Sequence, residues 1–252
     1  YEIASCLVGS EMCIRDSSET NEFSHKSKNP GKMHACGHDG HTVMLLAAAK
    51  YLAESRSFSG QVNFIFQPAE EGLGGAKAMI DDGLFDKFPC DRVYAMHNGP
   101  GIAVGKFASV PGIRTAAGAF FDIKVIGKGG HGAFPQFAID PITIAAEIIG
   151  AIQTIISRTT SPNDSAVLSI TKVHAGDAYN VIPESAMLSG TVRTFAIDKM
   201  QEIERQMISI SEGISKAHGG TALVEFNTLF LPVLNEERAT DLATEVCGDI
   251  VG

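Results

Sequence analysis

The chain has 252 residues, 44% of them hydrophobic, and a formal net charge of −9. This is enough apolar material for one large domain or two smaller ones. The sequence has no basic run, which argues against a nucleic acid or an anionic membrane as a partner, because both attract clustered Lys and Arg. We therefore expect a small-molecule partner.

Cysteine usage and hydropathy indicate a cytoplasmic protein. The five cysteines are scattered and show no Cys-x-x-Cys spacing, so they predict neither a disulfide framework nor a zinc ribbon. The longest apolar stretch, residues 141–156, is interrupted by Glu147 and Gln153. It is shorter than the roughly 20 apolar residues that a membrane span requires. We expect no such span.

The two ends of the chain indicate a fragment. Residues 1–17 show no periodicity that connects with the rest, and part of them resembles translated sequencing-adapter text. We leave them unassigned and expect them to be artefactual. The chain begins without Met and ends inside a predicted helix over residues 235–252, so we expect its ends not to be those of the whole protein.

The next part of the chain alternates strands and helices. After a Gly-rich loop, the pattern predicts a helix from Thr42, its candidate N-cap, then a strand, a helix with Gly83 at its end, and a strand leading to His97. Residues 103–109 are expected to form another strand. This order predicts an α/β fold with a parallel-type sheet, in a domain over residues 18–111.

A second pattern begins near residue 112. Strands and helices follow there in the order βαββαβ, the ferredoxin-like arrangement, which predicts a separate domain over residues 112–227. We expect residues 228–252 to begin a return to the first domain.

The stretch His34–His41, "HACGHDGH", combines histidines, a cysteine and an aspartate with two glycines. Cys36 and His38 are two residues apart in a loop, so a thiolate and an imidazole could converge on one divalent metal ion. Alternatively, the glycines only shape a turn, and Asp39 or Thr42 only caps the following helix.

Further polar residues follow the predicted strands of the first domain. Glu70 and Glu71 come directly after one strand, and His97 ends the next. Open α/β sheets bind ligands at the carboxyl ends of their strands, and adjacent carboxylates can divide metal binding and proton transfer between them. Each feature alone also fits a solvated turn or a structural histidine. Their coincidence at one edge favours a site.

The second domain has three candidate residues of its own. His131 lies in a glycine-flanked turn, Asn180 precedes a strand, and Arg193 lies within one. Gly129 and Gly130 would let a backbone approach a ligand, and Arg193 could clamp a carboxylate. Each could equally be an ordinary exposed residue.

Six motifs together resemble a known family. They are "GKMHACGHDGHT", "FQPAEEGLGGAKAMI", "AMHN", "KGGHGAFP", "NVIPESA" and "GTVRTF". In this order they resemble the hippurate hydrolase, N-acyl-amino-acid amidohydrolase and auxin-conjugate hydrolase branch of the aminoacylase-type metallopeptidases. The resemblance covers about residue 21 to the C-terminus.

The resemblance implies a role for each candidate residue. Cys36, His38, Glu71 and His97 match ligands of a centre with two divalent metal ions (Zn, Mn, Co or Ni), and Glu70 matches the general base. His34 and His41 match no ligand. Residues that contact the substrate or its oxyanion in the family are matched by His131, Asn180 and Arg193.

The resemblance also implies an architecture and a reaction. The βαββαβ domain would be an inserted lid that also dimerises, so a homodimer is implied. Metal-activated water would cleave the amide bond of an N-acyl amino acid. An Asp-containing N-terminal motif and one more histidine near the C-terminus have no counterpart in this chain, so we expect an incomplete catalytic domain.

Two alternative functions stay open. The chain could be a non-catalytic lid, dimerisation or binding module of the same fold. It could also act on dipeptides or on N-acetyl or N-succinyl diamino acids.

Overall fold

The computed structural model describes residues 3–8, 18–70 and 74–251. Its elements, in chain order, are β1 (Ile3–Val8), α1 (His38–Ser55), β2 (Val62–Gln67), α2 (Gly75–Asp81), α3 (Leu84–Lys87), β3 (Val93–Tyr94), β4 (Gly112–Thr115), β5 (Ala117–Ile126), β6 (Gly130–His131), α4 (Pro141–Thr154), β7 (Ala166–Ala175), β8 (Val181–Ile182), β9 (Ser185–Thr194), α5 (Ile197–Ala217), β10 (Thr221–Phe230), β11 (Val233–Asn235) and α6 (Glu237–Val251). The chain forms two compact units: Tyr1–Ser109 with Asp241–Gly252, and Val110–Thr240.

The first unit contains a three-stranded sheet in the order β2-β1-β3. Strand β1 pairs in parallel with both neighbours, with Ile3 opposite Val62 and Ala4 opposite Val93. The middle strand comes from residues 3–8, to which the sequence pattern assigns no element. A nearly continuous apolar run is typical of a strand with two parallel neighbours. Because both pairings are parallel, strands β2 and β3 end at the same edge of the sheet.

Helix α1 begins five residues earlier than an N-cap at Thr42 predicts. Its N-cap is Gly37, whose φ of 79° lies in the left-handed region that glycine adopts without strain. The Thr42 hydroxyl donates to the His38 carbonyl oxygen at 3.0 Å, within the first turn. Thr42 is thus inside the helix, and the N-cap prediction is wrong. The shift places both His38 and His41 on α1.

The strand expected over residues 103–109 is also wrong. That segment forms turns and irregular backbone, and Gly105 has a φ of 81°. A left-handed residue interrupts the extended conformation that a strand needs.

The second unit is built on a four-stranded antiparallel sheet in the order β10-β5-β9-β7. Along the chain, β5, α4, β7, β9, α5 and β10 follow each other in the order βαββαβ. From Ala119 to Val125, successive residues of β5 alternate between buried and exposed, as a sheet with one covered face requires. Phe121, Ile123 and Val125 lie in the core on that covered face.

Helices α4 and α5 supply the other side of this core. Asp140 caps α4, because its carboxylate accepts a hydrogen bond from the Ile142 amide at 2.8 Å. On length and composition alone, residues Pro141–Thr159 could cross a membrane. Ile144, Ile148 and Ile152 on this helix are nevertheless buried in the core, which accounts for its apolar face.

Strands β4 and β11 form a separate antiparallel pair in the second unit. Asn235 lies opposite Gly112, and its side-chain amide donates to the Val110 carbonyl oxygen at 2.9 Å. The pair therefore joins the two places where the chain enters and leaves this unit.

Candidate metal centre

Three of the four predicted metal ligands meet in the first unit. The ligand atoms of Cys36, His38 and His97 all lie within 4.8 Å of one another. Cys36 Sγ is 3.4 Å from His97 Nε2. The residues come from different segments: the loop before α1, the first residue of α1, and the loop after β3. The fourth, Glu71, lies outside the described residues.

Local backbone geometry brings these segments together. Gly37 turns the chain between Cys36 and His38, so that both side chains face the same space. Strand β3 carries the chain to the edge where β2 also ends, and His97 follows three residues after Tyr94. Convergence at that edge was expected from strand order alone.

Glu70 lies beside this cluster. Its carboxylate Oε2 is 3.8 Å from His38 Nε2. The residue before it, Ala69, has a φ of 50°, a left-handed conformation that is unfavourable for a residue with a Cβ. This turn directs the chain after β2 toward α1. The Glu70 side chain is 43% exposed, whereas that of His38 is 1% exposed. Solvent can therefore reach the carboxylate, while the imidazole is fixed.

The hydrogen bonds of His97 define which of its ring nitrogens is free. Nδ1 is 2.7 Å from the carbonyl oxygen of Asn98, which can only accept, so Nδ1 carries the proton. In the neutral ring, Nε2 then has its lone pair directed toward Cys36. Metal-binding histidines are typically held by such a bond from the second nitrogen to a carbonyl.

His41 and Asn98 were missed as parts of this site. His41 is 2% exposed, and its Nε2 lies 2.8 Å from Asn98 Oδ1 and 3.0 Å from the Asn98 backbone nitrogen. Burial lowers the pKa of His41 below its ordinary value, which favours the neutral ring. The spacing from His38 to His41 puts both on one side of a helix, and that spacing was the available signal.

The donor set fits a transition-metal ion. One thiol and two imidazoles are the ligands that zinc prefers, and imidazole also suits manganese, cobalt and nickel. A cluster that contains sulfur does not fit calcium or magnesium, which take oxygen ligands.

The remaining predicted residues lie in the second unit. His131 and Asn180 are brought together where β6 pairs with β8, and the Gly132 amide donates to the Asn180 carbonyl oxygen at 2.8 Å. Both side chains are exposed. His131 Nδ1 accepts a hydrogen bond from the Ala133 amide at 3.1 Å.

Arg193 is not brought to this pair. It lies near the far end of β9, and its guanidinium carbon is 5.9 Å from the ring centroid of Phe120 and 5.5 Å from that of Phe230. Its Nη1 also donates to the Thr191 hydroxyl and the Val192 carbonyl oxygen. The guanidinium is thus held in place on the sheet.

Comparison with known proteins assigns the family. The model of peptidase family M20/M25/M40 matches residues 15–252. The chain belongs to this family of peptidases and amidohydrolases, as the motifs predicted.

Individual relatives are similar over most of this chain. Hippurate hydrolase of Campylobacter jejuni is 44% identical over 93% of the chain and 61% of its own length. An N-acyl-L-amino acid amidohydrolase of Geobacillus stearothermophilus is 43% identical over 87% of the chain and 60% of its own length. An IAA-amino acid hydrolase of Arabidopsis thaliana, ILR1-like 4, is 38% identical over 93% of the chain and 54% of its own length. The chain therefore spans little more than half the length of these relatives.

Solved structures agree. A putative aminohydrolase from methicillin-resistant Staphylococcus aureus matches with a TM-score of 0.86 and 34% identity, covering 98% of this chain and 65% of that one. A protein of Bacillus subtilis described as a dinuclear metal-binding peptidase of family M20 matches with a TM-score of 0.76 and 32% identity, covering 99% and 63%.

Proposed function

We propose that this chain is the larger part of a metal-dependent amidohydrolase that cleaves the amide bond of N-acyl amino acids. The observation that carries the proposal is the convergence of Cys36, His38 and His97, with the Glu70 carboxylate beside them. Thiol and imidazole groups that converge from separate segments form a donor set that suits divalent transition metals.

The metal-binding residues would be Cys36, His38, His97 and Glu71, which would hold two divalent ions. When bound, such ions supply Lewis acidity, which makes a water molecule acidic enough to become a nucleophile at neutral pH. Membership of a family that includes a dinuclear relative supports the count of two.

Glu70 would move the proton. Its carboxylate is close enough to His38 to stand at the rim of the metal centre and exposed enough to meet a water molecule and a substrate. As general base it would take a proton from the attacking water, and as general acid it would give that proton to the leaving amine.

The second unit would act as the lid and dimerisation domain, with the chain forming a homodimer. His131 would donate to the oxyanion that develops on the acyl carbonyl. Arg193 or Asn180 would bind the free carboxylate of the amino acid. Arg193 suits this role because its guanidinium is held by backbone and aromatic contacts and keeps its charge.

The substrate class follows from what the relatives have in common. Their names include hippurate hydrolase, N-acyl-L-amino acid amidohydrolase and N-acetyl-L-cysteine deacetylase. Each of these substrates is an amino acid with an acyl group on its nitrogen. We propose the same class here.

The test is a hydrolysis assay on a panel of N-acyl amino acids, beginning with hippurate, with and without a chelator. We expect hydrolysis that the chelator abolishes and that added Zn²⁺, Mn²⁺ or Co²⁺ restores. Activity that survives complete metal removal would contradict the proposal. Bound metal without hydrolysis of any substrate would favour the alternative of a non-catalytic module.

Glu70→Gln isolates the proton-transfer role. The substitution should lower kcat by about 10² to 10⁴-fold, the usual contribution of a general base, while metal content by elemental analysis stays nearly unchanged. Glu54→Gln, at an exposed acid near the end of α1, is the matched control and should leave kcat unchanged. Normal turnover in Glu70→Gln would remove Glu70 from its assigned role.

A further inference from the structure

A contact between His41 and Asn98 lies next to the proposed metal ligands. His41 is buried on α1, one turn after His38, and it reaches the residue that follows His97. Its ring centroid is 4.4 Å from that of His97, with the planes at 61°. His41 therefore contacts the segments of two proposed ligands without presenting a ligand atom to the cluster.

The contact with Asn98 holds in either tautomer of His41. Nε2 lies 2.8 Å from the side-chain oxygen and 3.0 Å from the backbone nitrogen of Asn98. With a proton on Nε2, the ring donates to Oδ1. Without it, the ring accepts from the backbone N–H. One hydrogen bond between His41 and Asn98 is present in both cases.

Asn98 in turn controls the orientation of His97. Its carbonyl oxygen accepts the Nδ1–H of His97 at 2.7 Å, and this bond directs Nε2 toward Cys36. Rotation of the peptide between Asn98 and Gly99 would therefore remove this acceptor and release the imidazole from its orientation toward the cluster.

Gly37 leaves the space that this arrangement needs. A Cβ at Gly37 would lie 3.0 Å from Asn98 Oδ1 and 3.2 Å from its Cγ, so the Asn98 amide occupies the position of the missing side chain. The loop between Cys36 and His38 and the loop after β3 thus meet at Asn98.

We propose that His41 is a positioning residue for the metal centre: by hydrogen-bonding the side chain and backbone nitrogen of Asn98, it holds the residue whose carbonyl oxygen orients His97 Nε2 toward Cys36 and His38. This inference rests on the proposed function, because it assumes that the cluster binds metal. The ligand of the cluster would be a divalent transition-metal ion, and Co²⁺ is the probe used to test it.

The experiment is a Co²⁺ titration of the purified 252-residue chain, followed by the sulfur-to-cobalt charge-transfer absorption. Cys36→Ala should abolish this band and so assigns it to the cluster. His41→Leu removes the hydrogen bond and puts an apolar side chain of similar bulk in its place. It should weaken Co²⁺ binding by about 10 to 100-fold, the usual effect of losing such a partner. His41→Gln can still donate and accept and should recover most of the affinity.

His34→Leu is the matched control, since His34 is exposed and precedes the same loop. It should bind Co²⁺ as the unmodified chain does. Asn98→Ala keeps the backbone N–H and carbonyl but removes Oδ1, and we expect it to weaken Co²⁺ binding by less than His41→Leu. Far-UV circular dichroism of each variant establishes that it is folded.

The outcomes separate the two proposals. If the unmodified chain gives no Cys36-dependent band, the metal centre fails and the positioning role fails with it. If the band is present and folded His41→Leu binds Co²⁺ with unchanged affinity, only the positioning role is overturned. Equal weakening in His41→Leu and His41→Gln would assign the effect to packing and overturn it too. If His41→Leu does not fold, unchanged affinity in Asn98→Ala overturns it.

Discussion

The two compact units bury different kinds of side chain. In the second unit, apolar residues from the four-stranded sheet, α4 and α5 form one continuous core. In the described part of the first unit, the buried side chains include two histidines and a glutamine besides apolar residues: His38, His41, Gln67, Leu45 and Ile65. An apolar core is stable without a ligand, whereas buried imidazoles need partners. We therefore expect metal binding to stabilise the first unit more than the second.

The largest expected effect concerns the apolar core of the second unit. Phe121 is 2% exposed, and its ring occupies the space above Gly190 on the neighbouring strand. Phe121→Ala should lower the free energy of unfolding of the second unit by about 3–5 kcal/mol, as other buried Phe→Ala changes do. Urea unfolding followed by far-UV circular dichroism measures this.

Phe120 provides the control on the same strand. It is 37% exposed on the opposite face and contacts the Arg193 guanidinium. Phe120→Ala should cost only about 1 kcal/mol. Equal losses in the two variants would contradict a core restricted to one face of the sheet.

A smaller effect should appear when metal is added. Saturating Zn²⁺ should stabilise the first unit by about 2.7 kcal/mol at a free concentration one hundred times Kd, and it should leave the second unit nearly unchanged. Hydrogen exchange measures the two units separately, through amides of α1 and of α5. Cys36→Ala should remove the protection of α1. Equal protection of both helices would contradict a metal site confined to the first unit.

The smallest expected effect concerns a helix end in the second unit. Asp140→Ala removes the acceptor for the Ile142 amide and the Thr143 hydroxyl, and it should cost about 1 kcal/mol of unfolding free energy. Asp140→Asn keeps a cap acceptor and should stay close to the unmodified chain in the same urea experiment. If Asp140→Asn were as destabilised as Asp140→Ala, charge and not capping would be responsible.

Much of the second unit could be predicted because its pattern is local. Alternation in β5 and the spaced isoleucines of α4 follow directly from which face each element buries. The first unit was harder. Strand β1 has its partners more than fifty residues away, so nothing in residues 3–8 alone could indicate them.

The sequence predicted that Cys36, His38 and His97 lie close together, but it did not predict the contact between His41 and Asn98. Cys36, His38 and His97 were identified because thiol and imidazole groups follow predicted loops and strands. Asn98 has no distinctive chemistry of its own, and its contact with His41 depends on a glycine conformation at residue 37. A single sequence does not show such a contact.

The pairing of β4 with β11 has a consequence for how the chain is assembled during synthesis. The first unit contains residues up to 109 and resumes at residue 241, so its helical segment from residue 241 onward leaves the ribosome only after the whole insert. An unfolded insert would act as a long flexible tether between these two parts, and closing a long loop costs entropy. Once residues 112–115 and 233–235 are paired, the two ends of the insert are held next to each other. Folding of the insert would therefore speed up completion of the unit that surrounds it.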